Sequence, residues 1–93
     1  MNSLTSMIPE RIGYNGWANY ATWNVALWIG NDEAIYRTAL GYVRHCERYG
    51  NRVSYDALIP TLEDCFGQMT PDGTRWMDGR IDTAEMDEML DEM

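Results

Sequence analysis

The sequence contains no lysine. All seven of its cationic side chains are arginine, set against fifteen acids for a net charge of −8. Arginine's planar guanidinium suits fixed, bidentate pairing with carboxylates better than diffuse solvation. An acidic excess of this size argues against direct nucleic-acid binding, because neutralising phosphates takes clustered Lys or Arg. Histidine occurs once, as His45, and cysteine twice, as Cys46 and Cys65. A structural zinc site normally takes four ligands and a catalytic one three, and adjacent helical residues such as His45 and Cys46 point about 100° apart. Metal and thiol chemistry therefore lack a donor set, and no metal or cofactor is expected. The cysteines follow no paired-spacing framework and no secretory signal, so both are expected as reduced thiols on apolar helix faces of an intracellular protein. No apolar run approaches the ~20 residues of a membrane span. There is no glycine-rich phosphate loop, no internal repeat and no low-complexity tract. The expectation is a soluble, cytoplasmic protein that touches neither membrane nor nucleic acid.

What the chain has in quantity is large apolar side chains: four Trp, six Tyr and seven Met in 93 residues. A chain of this length makes one domain and buries roughly 60–65% of the surface its unfolded form exposes, so a core must use such residues. Residues 1–18, with Pro9, Gly13 and Gly16, have no sustained period. They read as an arm, mobile over 1–12, that ends in an ordered loop.

Asn19 is then the N-cap of a first helix at 20–29 with Gly30 as its left-handed stop. That helix is apolar on nearly every side through Tyr20, Trp23, Val25, Ala26, Leu27, Trp28 and Ile29, which places it at the centre of the fold. Asp32 caps a second helix at 33–49, whose Ile35, Tyr36, Ala39, Leu40, Val43, Cys46 and Tyr49 recur at spacings of three and four. Its opposite side carries a basic stripe of Arg37, Arg44 and Arg48 beside His45. Ser54 caps a third helix at 55–66, kinked by Pro60 and stopped by Gly67. Residues 67–80, with Pro71-Asp72-Gly73 and Asp78-Gly79 around Trp76, read as an ordered irregular loop. Asp82 and Glu85 resemble a capping box for a last helix at 83–92, with Ile81 and Met86 as its hydrophobic staple. The expectation is a mainly α single domain spanning 1–93 with about four helices. A short hairpin in the 67–80 loop or in the N-terminal arm is the alternative for those segments.

Charge is concentrated at one end: residues 67–93 hold eight acids and two arginines, residues 1–66 seven acids and five arginines. The string Asp78-Gly79-Arg80-Ile81-Asp82-Thr83-Ala84-Glu85 matches the second half of an EF-hand loop. Its first half fails, since Thr74 and Trp76 stand where two anionic ligands belong. A capped acidic helix explains the string with ordinary helix-start chemistry. Catalytic carboxyl pairs need a pocket that separates their pKa values, and Asp87, Glu88, Asp91 and Glu92 are expected on a solvated helix, so no catalysis is expected. Those four acids are the candidate electrostatic contacts with a partner, and Trp17 and Trp76 the candidate aromatic anchors. The acidic helix spans about 15 Å and matches only about four phosphates, too few to mimic a duplex and enough to plug an Arg/Lys-lined groove. The bland reading is a solvated face, or one packed on the Arg37, Arg44 and Arg48 stripe. The same two patches can meet between chains and give a homodimer.

The run Gly16-Trp17-Ala18-Asn19-Tyr20-Ala21-Thr22-Trp23-Asn24-Val25-Ala26-Leu27-Trp28-Ile29 resembles the hallmark segment of a small, uncharacterised family frequent in phage genomes, cyanophages included. Gly16, Trp17, Asn19, Tyr20, Thr22, Trp23, Val25, Leu27, Trp28 and Ile29 follow its pattern. Its structural reading has Asn19 capping, Trp23 and Trp28 filling the core and Gly16 permitting a turn; its functional reading puts Trp17 and Tyr20 in an exposed hot spot. The resemblance implies a viral or mobile-element origin. Small acidic proteins of that origin often inhibit host defence, which implies an anti-CRISPR or anti-restriction type of inhibitor acting on a host or defence protein with a basic nucleic-acid-binding groove. A self-assembling structural phage protein and a regulator of a host metabolic enzyme are the alternatives.

Overall fold

The computed structural model describes residues 13–93; the arm expected at 1–12 lies outside the described residues. Four helices follow in order: α1 (Tyr20–Asn31), α2 (Glu33–Tyr49), α3 (Tyr55–Phe66) and α4 (Thr83–Asp91). No strand occurs among the described residues. The hairpin alternative survives only as isolated antiparallel bridges, Tyr14 with Trp17 and Met69 with Arg75.

The helices begin where short polar side chains satisfy the free amides of a first turn. The Asn19 carboxamide accepts from the Thr22 N–H at 2.9 Å, and the Asp32 carboxylate from the Ile35 N–H at 3.0 Å. Asp32 also donates its own N–H to the Trp28 carbonyl, so one residue closes α1 and opens α2. Gly30 is therefore not the stop of α1: it lies inside the helix, and a Cβ there would meet the Met89 Cε at 3.5 Å. Ser54 sits at the start of α3 without a side-chain cap bond. The first amides of α3 are served from other helices instead, Ser54 N–H by the Tyr42 hydroxyl at 2.9 Å and Tyr55 N–H by the Asp87 carboxylate at 2.6 Å. A carboxylate at that end also suits the helix dipole.

Helix α4 packs on α1, α2 and α3, whereas α1 packs on α2 and α4. The acidic last helix is thus as central to the packing as the apolar first one. The core combines Val25 and Ile29 of α1, Ile35, Ala39 and Val43 of α2, Tyr55, Leu58 and Leu62 of α3, and Met86 and Leu90 of α4. Burying each large aliphatic side chain is worth about 1.5–3 kcal/mol. The 67–82 loop contributes Ile81 and Trp76, which is 0% exposed and the largest fully buried side chain.

Polar groups of that loop are tied into the core. The Trp76 indole donates to the Gly67 carbonyl at 3.0 Å, and the Tyr55 hydroxyl donates to the Trp76 carbonyl at 2.6 Å; burial pushes the Tyr55 hydroxyl well above the usual tyrosine range. Buried Asn24 donates to Asp72 at 2.8 Å and accepts from the Thr70 hydroxyl at 2.6 Å. The Trp28 indole donates to the same Asp72 oxygen. No buried side-chain N or O among the described residues is left without a partner, as a dry interior requires. Cys46 is buried, but Cys65 is exposed on α3, contrary to the expected apolar placement of both. Tyr49 is likewise 64% exposed and stacks on the exposed His45 ring.

Candidate functional site

Asn15 and Gly16 carry positive φ values of 50° and 89°, the backbone of a two-residue type I′ turn, for which Asn-Gly is a preferred pair. Tyr14 and Trp17 exchange N–H···O bonds of 2.8 Å across it. Gly13 is required just before: a Cβ there would lie 2.0 Å from the Trp17 carbonyl oxygen. The turn is fastened to the start of α4. The Ala18 N–H donates to the Glu85 carboxylate at 2.8 Å, the Asn19 carboxamide to the Arg80 carbonyl at 2.7 Å, and the Asp82 N–H to the Thr22 hydroxyl at 2.9 Å. Asp82 caps the Glu85 amide as expected, while the reciprocal half of the capping box is replaced by these contacts with the 16–29 run.

That fastening sets Trp17, half-buried against the core, beside the outer face of α4. Residues 85, 88, 89 and 92 share one helix face by their spacing of three and four. They and the turn enclose an open groove of about 360 Å³ lined by Gly16, Trp17, Glu85, Glu88, Met89 and Glu92. Among the described residues its lining carries three carboxylates and no cation. Glu85 holds the Ala18 amide, whereas the carboxylates of Glu88 and Glu92 are exposed and have no hydrogen-bond or ion-pair partner among the described residues. An indole beside carboxylates attracts a guanidinium or ammonium group by ring quadrupole and charge together.

The expected partner-binding residues thus divide. Trp17, Glu88 and Glu92 meet at the groove, and Asp91 is exposed nearby on α4. Asp87 is half-buried and spent on capping α3. Trp76 is corrected from partner anchor to core residue, because the loop folds inward, with its indole N–H taken by the Gly67 carbonyl and its own carbonyl by the Tyr55 hydroxyl. Glu85, Gly16 and Met89 were missed; the spacing of 85 and 89 from 88 and 92 was the available signal. The basic stripe is largely self-neutralised: Arg37 pairs with Glu33, and Arg44 with Glu47 and the Met93 main-chain oxygen. Arg48 is exposed. No ion pair joins the stripe to the α4 acids among the described residues.

The half EF-hand string is occupied by the protein itself. Asp78 accepts from the Arg80 backbone N–H and, in a fork, from its guanidinium; Arg80 holds the Asp78 carboxyl down at about 2. Asp82 caps α4 and Glu85 binds Ala18. No group of three His, Cys, Asp or Glu among the described residues is arranged to hold a metal ion.

A family model matches residues 10–93, a span that includes both walls of the groove. The chain belongs to DUF7249, a family of unknown function. No curated protein and no solved structure matches it. Within this DUF7249 chain the 16–29 run has mainly architectural duties: Asn19 and Thr22 bridge to α4, Trp28 holds Asp72, and Val25 and Ile29 fill the core. Trp23 does not fill the core as expected; it is half-buried and stacks with the exposed Tyr14 and Tyr20 rings at 4.8 and 5.5 Å. No helix of the described residues is long and apolar enough to cross a membrane.

Proposed function

We propose that this protein is a non-enzymatic, phage-encoded accessory protein that binds and inhibits a host or defence protein, of anti-CRISPR or anti-restriction type, in the cytoplasm of the infected cell. The observation that carries the reading is the convergence of Trp17 with Glu88 and Glu92 in one open groove that no cation lines among the described residues. The groove receives an arginine or lysine side chain of the partner, the residue type that lines nucleic-acid-binding surfaces. The indole supplies the stacking face and the two free carboxylates the counter-charge. The phage and anti-defence parts rest on the resemblance of the 16–29 run and on the analogy it licenses.

Affinity capture from host lysate with wild type and with Glu88→Gln/Glu92→Gln tests the reading. The expected result is a basic partner retained by wild type, lost from the variant and released from wild type by salt. Unchanged capture by the variant removes the groove from the account.

A further inference from the structure

A second groove, of about 380 Å³, opens between α3 and the 67–82 loop. Ile59, Pro60, Met77 and Ile81 line it above the buried Tyr55 and Trp76. Pro60 is exposed and Met77 is 57% exposed, so an apolar wall faces solvent with a flexible thioether at its lip. Asp56, Glu63 and Asp78 also line the groove, and among the described residues no arginine does. Asp78 is already matched by Arg80; the carboxylates of Asp56 and Glu63 have no hydrogen-bond or ion-pair partner among the described residues.

Covalent structure frees one further acceptor in the same helix. Pro60 has no N–H, so the Asp56 carbonyl, four residues back in the same helix, lacks its helical donor. Both residues line this groove. An occupant that is apolar alone would desolvate Asp56 and Glu63 without compensation, and an anionic one would be repelled. An apolar body carrying an N–H-bearing cation satisfies the wall, the two carboxylates and the carbonyl together.

We propose that this groove docks a partner protein through an apolar residue adjoining an arginine or lysine. The site is separate from the Trp17 groove: Thr83 borders it, and at about 100° per residue Thr83 lies roughly opposite Glu88 and Glu92 around α4. Its failure or success is therefore independent of the Trp17 reading.

The test titrates the full chain with benzamidinium, a flat apolar ring bearing an N–H cation, and with benzoate as its anionic counterpart. NMR follows the Met77 and Ile59 methyl groups, with the Trp17 indole N–H reporting separately on the other groove. Expected are saturable shifts at Met77 and Ile59 with benzamidinium and none with benzoate. The Asp56→Asn/Glu63→Gln variant is expected to bind about fivefold more weakly, the scale of two exposed ion pairs. If that variant loses its fold, Pro60→Ala replaces it; it restores the donor to the Asp56 carbonyl and is expected to weaken binding about threefold, the scale of one hydrogen bond. Absent shifts, equal shifts with benzoate, or unchanged affinity in the variant used would each overturn the proposal. So would Met77 shifts that appear on raising protein concentration alone, since these assign the groove to a second copy of the chain.

Discussion

In the 67–82 loop every carboxylate is held by the protein itself: Asp72 by Asn24 and Trp28, Asp78 by Arg80, and Asp82 by the amide of Glu85. Helix α4, which follows directly, obeys the same rule only in its half-buried carboxylates, with Glu85 on Ala18 and Asp87 on Tyr55. Its exposed acids, Glu88, Asp91 and Glu92, have no partner for their carboxylates among the described residues. Acids in two adjacent stretches therefore do different work. The inner carboxylates replace water as acceptors for buried or half-buried donors, so removing them leaves those donors unsatisfied. The outer ones remain hydrated, cost nothing to the fold and are available to a cation from elsewhere.

Trp76, buried within the loop, gives the largest expected effect. Trp76→Ala opens a cavity beneath Tyr55 and strands the Gly67 carbonyl, and urea unfolding should register a loss of about 3–5 kcal/mol. A loss near zero would return Trp76 to the surface role that its turn-rich flanks suggest. Next in size is Asp87→Ala, which uncaps α3 and should cost about 1–2 kcal/mol in the same assay. An effect no larger than that of Asp91→Ala would remove the distinction between inner and outer acids.

Acid titration sharpens the loop's half of the comparison. The bonds from Asn24 and then Trp28 hold the Asp72 carboxyl below its ordinary 3.8, and Arg80 holds that of Asp78 at about 2. Groups depressed in the folded state contribute stability that is present above the unfolded value and is lost as pH falls through the folded one. The chain should therefore lose stability on going from pH 4 toward pH 2, and Asp72→Asn should make that decline shallower. An unchanged slope in the variant would contradict the role given to Asp72. The smallest effect is expected on α2, where Arg37 and Glu33 form an exposed pair. Arg37→Ala should change stability by less than about 0.5 kcal/mol.

Much of this architecture is legible in the residues, because helix starts are local chemistry: Asn19, Asp32 and Asp82 each cap within three residues of themselves. The expected ends fail where the solution is not local. Ser54 yields its role to Tyr42 and Asp87, which reach α3 from other helices, and Gly30 stays helical because Asp32 serves both neighbours. Trp76 misleads because turn signals on both sides describe the backbone and not which way the ring points. Exposed Cys65 and Tyr49 sit at helical spacings that periodicity assigns to the core, yet no neighbouring element covers them. For the site, the acids of α4 were visible as a run. Their division into anchored and free required knowing that the 14–17 turn lands beside Glu85, a contact across 67 residues.

The division of the acids is tested most directly by urea unfolding of two triple variants that remove the same charge from the same end of the chain. Asp82→Ala/Glu85→Ala/Asp87→Ala strips the inner set and Glu88→Ala/Asp91→Ala/Glu92→Ala the outer, so long-range electrostatics change alike and position alone differs. The inner variant should lose about 3 kcal/mol, roughly one per hydrogen-bonded carboxylate, while the outer stays within about 0.5 kcal/mol of wild type. Equal losses in the two variants would contradict the account.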